Sequence, residues 1–248
     1  MQPKMQHFLD RLAASRRVAV FTGAGVSTLC GIPDFRGPQG LYRQPDAERI
    51  FDIDWFRRDP SIYYTGCREL VYGLRHVQPG PVHAAMARLE RAGIVAGVVT
   101  QNIDMLHQQA GSRIVHEIHG SPRLHHCIGC GREKDYEAVC AMIETAKAAR
   151  CETCGAAYKP DITFFGEMLP QQAFDDAVAL ARQAPLMLVL GSSLTVHPAA
   201  SIPRLTLRAG GELAIVNDQP TPLDREASFR FPDLAAFAEA ILETWPAS

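Results

Sequence analysis

Short apolar runs alternate with helical patterns along most of this chain, and that alternation is the strongest constraint on its fold. Such runs, bounded by Gly, Pro or polar residues, are typical of strands buried on both faces of a sheet. We predict five parallel strands, at residues 18–22, 94–100, 162–165, 186–190 and 213–216. Helical patterns cover residues 81–92, 171–182, 198–209 and 233–244. This order of elements indicates an α/β fold with a doubly wound parallel sheet.

Two stretches interrupt the alternation and predict a second, smaller domain. Residues 41–77 have aromatic residues at helical spacing, and residues 121–159 contain paired cysteines. We therefore predict a sheet domain made of residues 1–40, 78–120 and 160–248. The helical insertion at 41–77 and a zinc-binding insertion at 121–159 would together form the smaller domain.

Four of the seven cysteines form two C-x2-C pairs, Cys127 with Cys130 and Cys151 with Cys154. Their spacing is in the range of a four-cysteine zinc site, and a glycine follows each pair, as a tight knuckle requires. Two disulfides or a redox-active C-x2-C are the alternatives. Because cysteine fills all four positions, no ligand position stays open, and the predicted zinc is structural.

The first apolar run leads into a glycine-rich turn, FTGAGVSTLCGIPDFRG at residues 21–37. Glycine lets backbone N–H groups approach a phosphate closely, because it has no Cβ. Thr28 replaces the third glycine of the dinucleotide fingerprint, and Gly31 and Pro33 interrupt the expected helix. We predict a phosphate cradle followed by a loop that encloses the reactive end of a cofactor. The alternative is a surface loop after an ordinary strand.

Polar residues also follow three later strands, at the edge where doubly wound sheets bind ligands. The string TQNID at residues 100–104 places Asn102 and Asp104 there, although either residue could instead cap a following helix. Residues 191–193 (GSS) and 216–218 (VND) suit phosphate and ribose contacts, respectively.

Histidines are concentrated between residues 116 and 126. His119 comes at the junction with the cysteine insertion, where it could act as a general base near neutral pH. A structural role is the alternative, and it is the role that we expect for His125 and His126.

The composition argues against several classes of partner. The 248-residue chain has a net charge of −2 and 47% hydrophobic residues, which fits a soluble enzyme or binding protein without nucleic-acid partners. Its apolar runs are too short to span a bilayer, so we expect no membrane association. Paired cysteines without a secretory signal favour a reducing compartment, and we expect a cytoplasmic location.

Taken together, these motifs resemble the sirtuin family of NAD-dependent protein deacylases over essentially the whole chain. The matching strings are GAGVSTLCGIPDFRG (23–37), TQNID (100–104), HG (119–120), both C-x2-C pairs, FFGE (164–167), GSSLTV (191–196) and VN (216–217). The FDIDWF string and the short termini are most similar to compact bacterial members. The resemblance implies a Rossmann-like sheet domain with an inserted smaller helical and zinc-binding domain.

The resemblance also implies the reaction, which is removal of acetyl or other neutral acyl groups from lysine side chains. NAD would be consumed as co-substrate, with release of nicotinamide and O-acetyl-ADP-ribose. The implied partners are acyl-lysine proteins or peptides, entering a cleft between the domains, and one structural Zn²⁺. Mono-ADP-ribosyl transfer, desuccinylation and an NAD-sensing binding module are the alternatives. His119 argues against the sensor, because binding alone needs no base.

The resemblance implies two catalytic residues, Asn102 and His119, of which His119 is the base for a ribose hydroxyl. The residues implied to contact NAD are Gly23, Ala24, Gly25, Thr28, Asp34, Phe35, Arg36, Gln101, Asn102, Ile103, Asp104, His119, Gly191, Ser192, Ser193, Asn217, Asp218 and Asp233. Those implied to contact the acyl-lysine substrate are Thr163, Phe165, Gly166 and Val196. The implied metal ligands are Cys127, Cys130, Cys151 and Cys154.

Sirtuins that remove succinyl or malonyl groups carry a Tyr-x-x-Arg pair. Here Tyr64 and Arg68 are one residue too far apart, and Tyr72 and Arg75 fall late in the insertion. We expect all four to be solvated helix residues, and we therefore predict a preference for neutral acyl groups. A further departure is Met105, which follows TQNID where many relatives have glycine.

Overall fold

A computed structural model describes residues 3–34 and 47–246. The strands in those ranges are β1 (Val18–Thr22), β2 (Val95–Thr100), β3 (Val115–Glu117), β4 (Gly120–Cys127), β5 (Glu133–Asp135), β6 (Tyr158–Ile162), β7 (Leu186–Leu190), β8 (Glu212–Val216) and β9 (Phe229–Phe231). The α-helices are α1 (Pro3–Ala13), α2 (Gly25–Thr28), α3 (Ala47–Ile50), α4 (Ile53–Arg58), α5 (Pro60–Gly66), α6 (Pro81–Arg91), α7 (Leu106–Gln109), α8 (Tyr136–Thr145), α9 (Gln171–Gln183), α10 (Ile202–Arg208) and α11 (Leu234–Thr244). Short 3-10 helices cover Tyr72–His76 and Ala199–Ser201. None of these helices is both long and apolar enough to cross a membrane.

The larger of two compact units comprises Met1–Ile32, Gln78–Ile118 and Gln171–Ser248. It contains a six-stranded parallel sheet in the order β3-β2-β1-β7-β8-β9. The strand order reverses between β1 and β7, so the carboxyl ends of β1, β2 and β7 meet at a topological switch point. Thr22 at the end of β1 pairs with Thr100 on one side and Leu190 on the other, which brings these three strand ends level.

Alternating residues of β1 show why helices cover both faces of this sheet. Val18 and Val20 pack in a core with α1, α6 and α11, whereas Ala19 and Phe21 pack in a second core with α9 and the helical residues near Ile202. All four of these β1 side chains are fully buried. An all-apolar strand is therefore required, and the predicted doubly wound α/β architecture is confirmed.

The smaller unit comprises Pro33–Val77 and His119–Pro170. Its antiparallel sheet has the order β5-β4-β6, and its helices in the described residues are α3, α4, α5 and α8 with the 3-10 helix at Tyr72–His76. Aromatic rings pack in its core, where Tyr63 contacts Phe51 and Phe56 edge-to-face and Phe164 at a tilt of 42°. These aromatics at helical spacing explain why the first insertion has no strand pattern.

The predicted parallel strand at residues 162–165 is wrong. Residues 158–162 form β6, which pairs antiparallel with β4 in the smaller unit, with Gly120 opposite Ile162. Phe164 points into the aromatic core of that unit instead of into the large sheet. Residues 160–170, which we expected in the sheet domain, accordingly fall in the smaller unit.

Candidate active site

The glycine turn after β1 is packed directly against the end of β7. Gly23 N–H donates to Leu190 O at 3.1 Å, and Gly25 N–H donates to Gly191 O at 2.9 Å. A Cβ on Gly25 would lie 2.8 Å from the Gly191 Cα, and a Cβ on Gly191, whose φ is +60°, would lie 2.5 Å from the Val26 nitrogen. Glycine is therefore required here for close backbone packing as well as for any approach of a phosphate.

The remaining predicted residues of this segment lie along and beyond α2. Ala24 has helical backbone angles and precedes the helix, and the exposed Thr28 donates its hydroxyl to Gly25 O at 2.9 Å. The helix ends after one turn, and the chain continues through Pro33 to the half-buried Asp34. Two of the predicted NAD contacts lie outside the described residues, Phe35 and Arg36.

A buried network fixes the polar residues that follow β2. The Asn102 side-chain amide donates to Gly23 O and to Ser27 Oγ, both at 3.1 Å. Ser27 in turn donates to Asp104 Oδ2 at 2.6 Å. Asp104 Oδ1 accepts the backbone N–H of Leu106, the first residue of α7, at 3.0 Å, although the N-cap position of that helix is Met105 and not Asn102 or Asp104. One network thus orients both predicted residues, and Ser27, whose role sequence analysis missed, is at its centre.

The neighbours of Asn102 link the same turn to β7. Gln101 donates its side-chain amide to Ser192 Oγ at 2.9 Å, and that hydroxyl also accepts the Leu194 N–H at 3.3 Å. Ile103 is half-buried. Met105 adopts a φ of +65°, a left-handed conformation that is unusual for a residue with a side chain. A glycine would adopt this conformation without strain.

A second chain of hydrogen bonds starts at the Asn102 backbone, and the sequence did not indicate it. The Asn102 backbone N–H donates to Thr100 Oγ1 at 3.0 Å, Thr22 donates to Thr100 at 2.8 Å, and Thr22 Oγ1 lies 3.1 Å from His107 Nε2. The His107 and His83 rings are 4.7 Å apart. Burial lowers the pKa of both histidines, that of His107 well below its usual value. Both rings are therefore neutral at physiological pH.

Two of the predicted residues after β7, Ser193 and Val196, are more exposed than Gly191 and Ser192. Ser193 and Thr195 form a hydroxyl pair at 2.8 Å on the surface, and Val196 is half-buried. An exposed hydroxyl pair can exchange its partner for a ligand oxygen at little cost, because water already competes for it.

The residues after β8 and before α11 have local structural partners. Asn217 is buried, and its amide donates to Gln219 O at 2.8 Å, whereas Asp218 is exposed. The Asp233 carboxylate accepts two backbone N–H groups in the first turn of α11, at 2.8 and 3.0 Å. Asp233 is therefore an N-cap, whose Oδ1 holds the first turn of α11.

His119 lies in the smaller unit, directly before β4. Its carbonyl accepts the N–H of Thr163 at 2.9 Å, and its side chain is half-buried. Gly120 has a φ of +75°, and a Cβ there would lie 1.9 Å from Asp161 O. Only glycine fits this backbone, so the HG pair fixes the start of β4 and holds His119 against the segment that begins at Thr163.

The two histidines that we expected to be structural have structural partners. His125 is fully buried, with Nε2 3.0 Å from the Tyr72 hydroxyl, and burial lowers its pKa to about 3. His126 lies between Asp161 and Glu133, at 2.7 and 3.3 Å, and these carboxylates raise its pKa.

The predicted substrate segment, residues 163–166, is tied to the first insertion. Phe165 N–H donates to Phe51 O at 2.7 Å, and its carbonyl accepts the Ile53 N–H at 3.1 Å. The Phe165 side chain is nevertheless 48% exposed. Gly166 has a φ of +90°, and a Cβ there would lie 2.9 Å from the Ile53 side chain. Residues 163–166 therefore form one segment, the backbone edge, that is fixed on one side by the first insertion, and the Phe165 ring lies at its surface.

The four predicted metal ligands converge. Cys127 and Cys154 sulfurs are 3.3 Å apart, Cys130 and Cys151 sulfurs are 3.6 Å apart, and all four lie within 4.8 Å of one another. Zn–S bonds of about 2.3 Å in a tetrahedron place sulfurs about 3.8 Å apart, whereas a disulfide needs about 2.05 Å. The four cysteines are thus positioned to hold a zinc ion.

The two Tyr–Arg pairs considered for recognition of an acidic acyl group are only partly solvated, whereas we expected all four residues to be. Tyr64 and Tyr72 are buried, not solvated, because their rings stack in the core and the Tyr64 hydroxyl donates to a backbone carbonyl. The two arginines are exposed, as predicted. Arg68 donates to carbonyls near the end of α8, and Arg75 pairs with Glu144 at 3.1 Å. Both guanidinium groups are thus held by α8.

Comparison with known proteins identifies the relatives of this fold and site. A family model described as the Sir2 family matches residues 23–198. The NAD-dependent protein deacetylase of Thermotoga maritima is 43% identical over 97% of this chain and 98% of its own length.

Solved structures agree. A Sir2 structure with a deacetylated p53 peptide and 3'-O-acetyl ADP ribose superposes with a TM-score of 0.93, at 42% identity over 99% of this chain and all of that one. A second, of Sir2 with a p53 peptide and NAD⁺, has a TM-score of 0.89 at 42% identity, over 97% and 98% of the two chains.

Proposed function

Since this chain belongs to the Sir2 family, we propose that it is an NAD-dependent protein-lysine deacetylase. The acyl oxygen of the substrate attacks the nicotinamide ribose, and nicotinamide leaves. A ribose hydroxyl then attacks the acyl carbon, and addition of water breaks the bond between that carbon and the lysine nitrogen, so that the acyl group remains on the ribose and the lysine leaves as a free amine. The products are free lysine, nicotinamide and O-acetyl-ADP-ribose, so one NAD is consumed for each lysine. The observation that carries this proposal is the near-complete match to a relative that is solved with a deacetylated peptide and acetyl ADP ribose.

We infer that Asn102 acts through its side-chain oxygen. Both hydrogens of its amide are used, one on Gly23 O and the other on Ser27 Oγ. This pairing fixes which end of the amide is Oδ1, which is left to accept a hydrogen bond from a ribose hydroxyl or from water. The buried Asp104 holds Ser27, so the orientation of Asn102 does not depend on bound ligand.

We infer that His119 accepts the proton of the ribose hydroxyl. A neutral imidazole suits this step, because the hydroxyl has a high pKa and gives up its proton only as it attacks. The half-buried side chain of His119 differs from the buried His83, His107 and His125, whose lowered pKa values leave them poor bases.

We propose that the enzyme prefers acetyl and other neutral acyl groups. A succinyl carboxylate would need an arginine aimed at it, with little competition from other acceptors. Arg68 and Arg75, the two candidates by spacing, instead hold backbone carbonyls and Glu144 of the α8 region. A succinyl group would therefore be desolvated without a charge partner.

The four-cysteine site would hold Zn²⁺ and link the two knuckles of the smaller unit. All four ligands are sulfur, so no open position would remain, and the ion contributes structure instead of Lewis-acid chemistry. We also propose that the protein works in the cytoplasm, where reducing conditions keep such thiolates available for zinc.

The decisive experiment measures nicotinamide release from NAD with and without an acetyl-lysine peptide. We expect peptide-dependent release by the wild type and a loss of at least a hundredfold in His119→Ala, the scale of general-base catalysis. His76→Ala, which removes an exposed histidine of the same unit, is the matched control and should retain full activity.

Each alternative gives a different result in the same assay. Release without peptide, or modification of the peptide by ADP-ribose, would favour mono-ADP-ribosyl transfer. NAD binding without any turnover would favour a sensor. Faster turnover of a succinyl-lysine peptide than of its acetyl twin would contradict the proposed acyl preference.

A further inference from the structure

The smaller unit contains a lysine whose ammonium group has all three of its hydrogen-bond donors engaged. Lys159 Nζ donates to Pro160 O at 3.1 Å and to Ile162 O at 2.9 Å, and it pairs with Glu167 Oε2 at 2.8 Å. The side chain is 12% exposed. The chain has only four lysines among its 25 basic residues, and this one lies in β6 immediately before the substrate segment.

Glu167 connects this ammonium group to the backbone of residues 163–166. Its Oε2 also accepts the N–H of Phe164 at 2.9 Å, and its own N–H donates to Phe164 O at 3.0 Å. Lys159 Nζ lies 4.2 Å from the centroid of the Phe164 ring. Glu167 therefore closes the turn around Gly166 with both its carboxylate and its backbone N–H, and the ammonium group holds the carboxylate in place.

We propose that Lys159 and Glu167 are positioning residues for the acyl-lysine peptide, because their ion pair fixes the backbone edge of residues 163–166 that binds it. This inference rests on the proposed function. The edge is held at Thr163 by the carbonyl of His119, directly before β4, and at Phe165 by the first insertion. Between those two points, Glu167 supplies the side-chain partner of the Phe164 N–H, and the Gly166 turn follows directly.

The physical consequence of breaking the pair is local. Without Lys159, the carboxylate of Glu167, whose side chain is only 29% exposed, has lost its countercharge and turns outward to water. The Phe164 N–H then loses its acceptor, and the Gly166 turn samples several conformations. Peptide binding must restore one of them, which weakens affinity, but the chemistry after binding is unchanged because neither side chain touches the reacting atoms.

The test separates peptide affinity from turnover in the full-length, zinc-loaded protein. In Lys159→Met we expect the KM for an acetyl-lysine peptide to rise tenfold or more, with kcat at saturating peptide and the KM for NAD within twofold of wild type. Lys159→Arg restores the charge and the donors, and its peptide KM should lie within threefold of wild type. Lys159→Met/Glu167→Ala should be no weaker than Lys159→Met, because the two residues act as one unit.

Arg75→Met is the matched control, since it breaks the exposed ion pair with Glu144 in the same unit. Its peptide KM should not change. Should Lys159→Met fold poorly, as judged by zinc content and thermal melting, Glu167→Gln keeps an oxygen for the Phe164 N–H and removes only the charge. Its peptide KM should rise at least threefold.

Binding of a fluorescent acetyl-lysine peptide without NAD distinguishes failure of this inference from failure of the proposed function. Peptide affinity that falls in Lys159→Met and returns in Lys159→Arg supports the positioning role, whatever the wild-type turnover. Unchanged peptide affinity, or an equal loss of peptide affinity and kcat in folded variants, overturns it. Absence of wild-type turnover would instead count against the proposed deacetylation.

Discussion

Replacing Ser27 with alanine removes the hydroxyl at the centre of the buried network. Ser27 is 2% exposed and Asp104 is 6% exposed, so water cannot replace the lost hydroxyl without opening the turn. The 2.6 Å hydrogen bond to the Asp104 carboxylate disappears, and Asn102 keeps only its bond to Gly23 O. The variant therefore tests both the packing of the glycine turn and the orientation of a proposed catalytic residue.

The magnitude follows from the chemistry of the lost bonds. A hydrogen bond to a charged group contributes about 1.5–3 kcal/mol. Asp104 retains its bond from the Leu106 N–H and Asn102 retains one acceptor, so we expect a loss of about 2 kcal/mol in the free energy of unfolding. For a chain of this size, that corresponds to a fall of about 4–8 °C in Tm. With one of its two acceptors lost, the Asn102 side chain is less well oriented, and kcat/KM for NAD should fall about tenfold or more.

Urea unfolding, thermal melting and nicotinamide-release kinetics measure these effects. The control is Ser201→Ala, which removes a hydroxyl that donates only to Pro198 O at the surface, and it should cost less than about 0.5 kcal/mol with no kinetic effect. If Ser27→Ala were as stable and as active as the control, the network would not hold Asn102 and Asp104. A stable variant with reduced kcat/KM would separate the catalytic role from the structural one.

Three further predictions concern zinc, pH and the glycine turn. The protein should contain one zinc per chain, measured by mass spectrometry of the metal; Cys154→Ser should lose it, and Cys140→Ser, outside the cluster, should keep it. Burial lowers the pKa of His107, so below about pH 6.5 the unfolded chain binds a proton at this residue that the folded protein does not. The free energy of unfolding should therefore fall by up to about 1.4 kcal/mol for each pH unit below that value. That slope should be smaller in His107→Gln, by urea unfolding between about pH 5 and pH 7, and an unchanged slope would contradict the assignment. Gly191→Ala should destabilise the protein by about 2–5 kcal/mol, because the new Cβ strains the backbone and overlaps the Val26 nitrogen. In Gly210→Ala the added Cβ meets nothing within 4 Å, so the loss should be only about 1–2 kcal/mol from backbone strain. Equal losses of stability in urea unfolding would contradict the predicted overlap at Gly191.

Sequence patterns predicted the large sheet because its central strands carry one strong signal. Residues 18–21 of β1, all of β7 and residues 213–216 of β8 are apolar, and a glycine or a polar residue follows each run. The strand at residues 162–165 was predicted wrongly because a four-residue apolar run does not reveal which sheet it joins. Pairing with β4 and burial of Phe164 place this segment in the smaller unit, and both are tertiary effects that the local sequence does not encode.

Sequence patterns indicated Asn102 and Asp104 because polar residues follow a strand end there, and they indicated the four cysteines because of their paired spacing. Sequence analysis missed three residues, Ser27, Thr22 and His107, because their roles depend on which side chains meet across neighbouring elements. One signal was available, since TGAGVS and TQNID each begin with a threonine at a strand end, and paired parallel strands bring those threonines together. Nothing in the local sequence indicated that a histidine five residues after Asn102 would complete that chain of hydrogen bonds.

The most direct test of NAD-dependent deacetylation is a product balance in a single reaction with NAD and an acetyl-lysine peptide. We expect deacetylated peptide, nicotinamide and O-acetyl-ADP-ribose in equal amounts, with none of the three formed when NAD is omitted. Free acetate released without NAD consumption, or nicotinamide formed together with an ADP-ribosylated peptide that keeps its acetyl group, would contradict the proposed reaction.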